Sequence, residues 1–331
     1  MTNNISQPRK PCFVWRGFLS LALLAILAVP CAGQGYPAKP LRMIVPFPPG
    51  GAADLLARLV GQKLTERMGQ PVVVETRAGG GGNIGTEYVA KSPPDGYTIM
   101  IGGLVLAINQ SLFKNLGYSL ANDLTAIAQI ATYQSMIVVH PSVPVKSMKE
   151  LIALAKAKPG ALNFGASPGS PNHLGMELIN VMAGVKMVHI GYKGSGPVLT
   201  DLIGGHLHCA SVGFPGATAH VTSGRLRALA VTGKQRSPLL PDLPTVAEAA
   251  LPGYNVSSWW GVFGPARIPP DIVTRLSTEI RGLMETDDTR TRLAAVGTDV
   301  ETSASEEFTR LVRTEIPLWA KVVKASGATA N

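Results

Sequence analysis

Cysteine is nearly absent from the body of this chain. Only three occur in 331 residues. Two of them, Cys12 and Cys31, fall in an N-terminal stretch read below as a leader, so Cys209 stands alone. That excludes an intrachain disulfide framework and leaves the hydrophobic core to hold the fold. Aromatic residues make up 6%, and the lysines and arginines are scattered without a basic run or a stacking platform. A nucleic-acid interface is therefore not expected. Beyond the leader there is no apolar run approaching the roughly 20 residues that span a bilayer. The phosphate-cradle pattern GxxxxGK[ST] lacks its lysine and hydroxyl, and the G-x-S-x-G elbow of serine hydrolases is missing around Ser170.

What is present is ample material for a core, 46% hydrophobic against 15% charged, enough for roughly two domains. Gly 36 and Pro 26 point to many specified turns. Arg9, Lys10 and Arg16 precede an apolar run, Phe18 to Val29, followed by Cys31-Ala32-Gly33, which is the order of a secretory signal. A signal peptide over residues 1–33 is expected, with cleavage after Gly33, or after Gly35 as second choice. Pro30 argues against lipid attachment at Cys31. The leader carries three basic residues and no acid, so its loss takes the net charge from +9 to +6. That balance suits small anionic ligands in an exported, periplasmic protein.

The stretch from Ile44 to Asp54 organises the rest. Leu41 to Val45 reads as a buried strand, and Asp54 to Met68 as an amphipathic helix with Leu55, Leu56, Leu59, Val60 and Leu64 at helical spacing. Between them lie Pro46, Pro48 and Pro49, then Gly50-Gly51. A tight turn opening into a helix offers unpaired N–H groups and a positive dipole end to an anion. An ordinary strand-to-helix connection is the plainer reading of the same stretch. Pro71 to Glu75 reads as a second strand, Gly79 to Asn83 as a flexible loop opening a helix, and Tyr97 to Ile101 as a third strand. Strand–helix alternation implies a parallel sheet covered on both faces, with ligands beyond the carboxyl ends of its strands.

A second unit repeats the plan. A strand at Ile137 to His140, a helix at Ser147 to Lys158 and a strand at Leu162 to Gly165 lead into Ser167-Pro168-Gly169-Ser170-Pro171-Asn172-His173, which opens a helix. Further elements are read at His189 to Gly194, Pro197 to Ile203 and Leu226 to Val231. Ser257 to Gly264 reads as a strand returning to the first unit, and the tail as two helices, Asp271 to Thr286 and Ser305 to Lys324.

Each reactive-looking group has a plainer reading beside it. His206, His208 and Cys209 lack a second ligand pair, so zinc is disfavoured. Asp54 in a first turn already favours the helix dipole. Trp259-Trp260 suits hinge packing more than ligand stacking, and Lys193 is as much a solvated side chain as a ligand partner. His173 fits a cleft-lining or capping role, and no nucleophile, base and orienting group assemble. No catalytic residue, metal or cofactor is expected. The alternative is an exported hydrolase using Ser170 and His173.

At Tyr36-Pro37-Ala38-Lys39-Pro40, Val45-Pro46-Phe47-Pro48-Pro49-Gly50-Gly51, Pro94-Asp95-Gly96-Tyr97-Thr98, His173-Leu174, Tyr192-Lys193-Gly194, Asp201-Leu202, Leu226 to Thr232 and Leu243-Pro244-Thr245-Val246 the chain resembles the substrate-binding proteins of tripartite tricarboxylate transporters, the Bordetella-uptake type. The resemblance runs over essentially the whole mature chain. It implies an α/β, two-lobed type II periplasmic binding protein, each lobe a mostly parallel sheet flanked by helices. Lobe 1 would be residues 34–132 and 258–331, and lobe 2 residues 133–257. A small carboxylate would sit between them and pass to membrane subunits of the transporter, the receptor being a monomer. Site residues implied by position are Phe47, Pro49, Gly50, Gly51, Ala52 and Asp54 in one turn and Ser167, Gly169, Ser170 and His173 in the other. Gly81, Asn83, Asn109 and Tyr192 line the remainder. The chain departs from the family at Ala53, where a hydroxyl is usual, at Gly191, and at Gly213 to Gly216, where an aspartate is often found. Loss of that acid favours a plain carboxylate over an amino acid. Gly51 is expected to be required because a side chain there would clash with the carboxylate or bar the backbone conformation. The related fold of LysR-type effector lobes is disfavoured, since a secretory signal stands where a DNA-binding motif would.

Overall fold

The computed structural model describes residues 1–2, 35–295 and 297–329. The leader therefore lies, beyond Met1 and Thr2, outside the described residues. The chain divides into two compact units, Met1–Ala38 and Lys39–Asn331, and every element below belongs to the second.

β1 (Leu41–Val45) is buried at all but Arg42, as befits a strand covered on both faces. It leads into α1 (Ala52–Met68), which buries Leu56, Leu59, Val60 and Leu64, each contributing about 1.5–3 kcal/mol. Leu55, placed on the same stripe from the sequence, instead faces outward at 45% exposure. Gly69, at φ 69°, closes the helix in the left-handed conformation. β2 (Val72–Thr76), α2 (Asn83–Ala90), β3 (Thr98–Gly103), α3 (Val105–Leu112) and β4 (Leu124–Tyr133) follow. One residue, Gln134, separates β4 from β5 (Ser135–Val139).

Next come α4 (Met148–Ala157), β6 (Asn163–Ala166), α5 (Pro171–Ala183), β7 (Val188–Gly191), α6 (Ser195–Ile203), β8 (Cys209–Gly213), α7 (Phe214–Thr222), β9 (Arg227–Val231) and α8 (Val246–Ala249). The chain then returns through β10 (Ser258–Pro265) to α9 (Pro270–Met284), α10 (Asp287–Ala294), β11 (Thr298–Asp299), β12 (Ser303–Ala304) and α11 (Ser305–Ser326). The tail thus has three helices where two were expected, because Thr286 caps a separate α10 by accepting the Thr289 N–H.

Two sheets result. The first has the order β11-β4-β10-β3-β1-β2, with β12 also on β4; the second runs β7-β6-β8-β5-β9. The parallel pairings expected from the sequence hold for β1, β2 and β3 and for β6, β7 and β8. The strands next to the crossings, β4, β5, β9 and β10, pair antiparallel instead. β4 passes straight into β5 through Gln134, whereas the return from β9 to β10 runs through residues 232–257, which include α8. One apolar core runs from Ile44 and Met100 in the first half to Phe164, Leu174 and Ile179 in the second. α11 joins them, packing on α3, α5 and β4 and burying Trp319 at 1% exposure.

Candidate functional site

The carboxyl ends of β1, β2 and β3 and those of β6, β7 and β8 are where open α/β sheets hold ligands. At the first, Gly50 takes φ +81°, a conformation that only glycine adopts at no cost. Its N–H donates to Asp54 Oδ2 at 3.1 Å, while Asp54 Oδ1 accepts from Arg58 Nε at 3.1 Å. Arg58 first, and the Gly50 N–H second, hold the Asp54 carboxyl below its ordinary range. The acid thereby shapes the turn and is charge-paired within the helix. α1 follows Gly51 with no side chain capping it, so among the described residues the N–H groups of Ala52, Ala53 and Asp54 have no acceptor and stand open to an external one.

Beside this turn the chain runs Gly79, Gly80, Gly81 and Gly82, all at positive φ. A Cβ on Gly82 would lie 2.9 Å from the Phe47 ring, and one on Gly81 would lie 3.6 Å from Phe113 and 3.7 Å from Asn109. Asn109, 1% exposed, donates to Gly81 O at 3.0 Å and to Asn83 Oδ1 at 2.9 Å. Tyr118 donates to that same Asn83 oxygen at 2.8 Å. Asn83 and Asn109 therefore fix the glycine loop through each other. α3 also meets the second turn, since a Cβ on Gly169 would overlap Leu112. The structure thus brings Phe47, Gly81, Gly82, Asn109 and Gly169 around one helix.

The second turn is built differently from the first. Ser170 Oγ accepts the His173 N–H at 3.2 Å, and His173 Nδ1 accepts the Gly169 N–H at 3.0 Å. Ser167 Oγ accepts the Gly194 N–H at 2.9 Å. Its backbone donors are largely consumed internally, so hydroxyl groups and not N–H groups face outward. They border a small cavity of about 60 Å³ lined by Ser167, Ser170, Asn172, Ser195 and Ser211. Asn172 Oδ1 accepts from Ser135 Oγ at 2.8 Å and Ser211 Oγ at 3.2 Å. Asn172 lies within the turn quoted from the sequence, whereas Ser195 and Ser211 stand in no motif there. Tyr192 is not on that wall. Its hydroxyl donates to Asp201 Oδ2 at 2.6 Å, and this bond pushes its pKa up to about 12.

His173 stacks on His189 with ring centroids 3.7 Å apart, and Nε2 lies 3.9 Å from Glu177. Burial first, and His189 second, depress its pKa to about 4. The unfolded chain takes up this proton near pH 6.5 and the folded chain only near 4, so stability falls as pH drops through that window. The loss expected from His173 is about 3 kcal/mol, partly offset by Glu177, whose burial-raised pKa acts in the opposite sense. Denaturant unfolding at neutral pH and near pH 4 should show it, and His173→Gln should flatten the profile. An equally steep profile in that variant would place the titration elsewhere.

Among the described residues, no group of three or more His, Cys, Asp or Glu is placed to hold a metal ion. His208 Nδ1 lies 2.7 Å from Asn163 Oδ1, and Cys209 is buried in the core with its thiol pKa raised to about 12. Trp259 packs against Phe263 and Phe308, while Trp260 lies edge-on to Phe47 at 5.8 Å and stacks on Tyr133 at 6.0 Å. No described helix is long and apolar enough to cross a membrane.

Two α/β halves joined by crossing strands, each with loop–helix turns at the carboxyl ends of its parallel strands, define a two-lobed solute-binding protein. Residues 56–328 match the tripartite tricarboxylate transporter family receptor. The chain is 37% identical to Protein BugT of Bordetella pertussis (strain Tohama I) over 305 residues, 91% of this chain and 94% of the relative. It superposes on the R. palustris protein Rpa4515 with adipate at TM-score 0.75 and 38% identity, covering 89% of this chain and 99% of the other. For MatC (Rpa3494) from Rhodopseudomonas palustris with bound malate the TM-score is 0.72 and the identity 29%, over 87% of this chain and 100% of the other. The chain belongs to the tripartite tricarboxylate transporter receptor family. Its members are periplasmic solute-binding receptors, so the hydrolase alternative at Ser170 and His173 is set aside.

Proposed function

We propose that this receptor captures a small carboxylate between a lobe of residues 34–132 and 258–331 and a lobe of residues 133–257. The observation that carries the proposal is the uncapped start of α1, whose three free N–H groups stand beside a charge-paired Asp54. A carboxylate there gains charge-assisted hydrogen bonds and the positive end of the helix dipole. Ser167, Ser170 and Ser195 supply hydroxyls from the opposite half, while Phe47 and the glycine loop around Gly81 bound the rest. Adipate and malate on the two relatives agree with a di-acid. Closing the lobes excludes water, which strengthens each of these bonds. The captured acid is handed to membrane subunits of a transporter, with no chemical turnover, and the receptor acts as a monomer.

A thermal-shift screen of mono-, di- and tricarboxylic acids tests this. At 100 times its dissociation constant, a ligand should stabilise by roughly 2.7 kcal/mol. Ser170→Ala should weaken binding of the best ligand by about 1–3 kcal/mol. If no carboxylic acid raises the melting temperature, the proposal is lost. Export rests on the leader, and mass spectrometry should find the mature N-terminus near Gln34. An intact Met1 or a lipid on Cys31 would overturn it.

A further inference from the structure

Asn172 lines the small cavity beside the second turn, and its side-chain amide is held by one end only. Oδ1 accepts from the hydroxyls of Ser135 and Ser211, which are buried at 4% and 3% exposure. Neither hydroxyl has another acceptor among the described residues, so the amide keeps its oxygen toward them. Ser135 is itself pinned, because its N–H donates to Thr232 Oγ1 at 2.9 Å and Thr232 Oγ1 donates to Val256 O at 3.0 Å. The nitrogen end is left over. Nδ2 finds no acceptor among the described residues, and Asn172 is only half-buried, so its two N–H groups stand open to the cavity.

The rest of that wall offers donors too. Ser167 and Ser170 each already accept a main-chain N–H, from Gly194 and from His173, which leaves each hydroxyl proton to give. Ser195 and Val198 belong to the first turn of α6, which follows Gly194 with no side-chain cap and brings its positive dipole end to the cavity. Among the described residues, no Lys, Arg, Asp or Glu lines it, and its volume of about 60 Å³ is room for one end group and not for a whole ligand. An ammonium brings only donors and would meet donors. A methyl group would leave them without acceptors. A carboxylate answers them.

We infer that Asn172 is a specificity-determining residue, donating its Nδ2 hydrogens to the far carboxylate of a dicarboxylic acid whose near carboxylate lies at the start of α1. The inference rests on the carboxylate capture proposed above and assigns the end of the ligand remote from α1. With its oxygen fixed to β5 and β8, the amide has its donors in place before the ligand arrives, so little ordering is left for binding to supply.

Calorimetry on the mature protein with two sets of acids of equal chain length tests it. The sets are adipate, hexanoate and 6-aminohexanoate, and succinate, butyrate and 4-aminobutyrate. In at least one set the diacid should bind about tenfold or more tightly than its partners ending in methyl or ammonium. Asn172→Asp keeps an acceptor for Ser135 and Ser211 but sets a carboxylate where the Nδ2 donors stood. It should weaken the diacid by about tenfold or more, tighten the amino acid, and leave the monoacid within about threefold. A merely structural role for Asn172 would weaken all three alike. That uniform loss overturns the inference, as does unchanged diacid affinity in Asn172→Asp or equal binding of diacid and monoacid by the wild-type chain. The wild-type series decides alone if the variant does not fold. If neither diacid binds, the inference falls, and a different acid that raises the melting temperature would show that carboxylate capture stands without it.

Discussion

Gly51→Val should abolish carboxylate binding and leave the melting temperature nearly unchanged. Gly51 has φ −89° and ψ 178°, extended backbone that any residue adopts, and a Cβ there meets only Pro48 O at 3.9 Å. The expectation that a side chain would bar the backbone conformation is therefore corrected; that constraint belongs to Gly50 at φ +81°. What valine removes is space. The open side of Gly51 is the approach to the free N–H groups, which an acceptor must reach to about 2.7–2.9 Å. A branched side chain in that approach should cost at least about 100-fold in affinity, or 2.7 kcal/mol. Gly50→Val should do the opposite, destabilising the fold by about 1–2 kcal/mol through left-handed strain. Calorimetry and thermal melting of the two variants separate the effects. Wild-type affinity in Gly51→Val would mean that the anion binds elsewhere.

A comparable loss, in stability, is expected at Gly261→Ala. Gly261 lies in the middle of β10, where the ladder to β4 shifts register. A Cβ there would collide with the Phe308 ring of α11 and stand 2.9 Å from Ala128 O. The sheet and the helix would have to separate at the point where the two halves are joined. A loss of about 3 kcal/mol is expected, the upper end for overpacking. Because the clash is with one ring, adding Phe308→Leu should recover part of it. An unchanged unfolding midpoint in the single variant would show that α11 gives way freely.

The loops that make the site were legible because glycine and proline mark turns by their backbone limits. β1 runs over the same residues as its sequence reading, and α1 and α5 were placed to within a few residues. The elements that escaped lack the patterns such reading needs. β4 is LTAIAQIATY, buried nearly throughout and rich in alanine, so it neither alternates nor shows a β-branched run. α3 begins two residues after β3 with no side-chain cap, leaving no start signal. In the second turn the motif was visible, but not that its donors are turned inward by His173 and Ser170. Two turns that look alike as sequence thus differ as chemistry, one presenting main-chain N–H groups and the other hydroxyls. The amides that hold the glycine loop, Asn83 and Asn109, act through partners 26 residues apart, a relation no local pattern encodes.

The bare start of α1 has a genetic consequence. The donors at Ala52, Ala53 and Asp54 belong to the main chain, and every residue but proline carries the same N–H. A missense codon for any residue but proline changes the side chain there and leaves the N–H donor in place. Drift there can change which acid fits without removing the donor. The hydroxyls of Ser167 and Ser170 have no such protection, since a single base change in either codon can erase them.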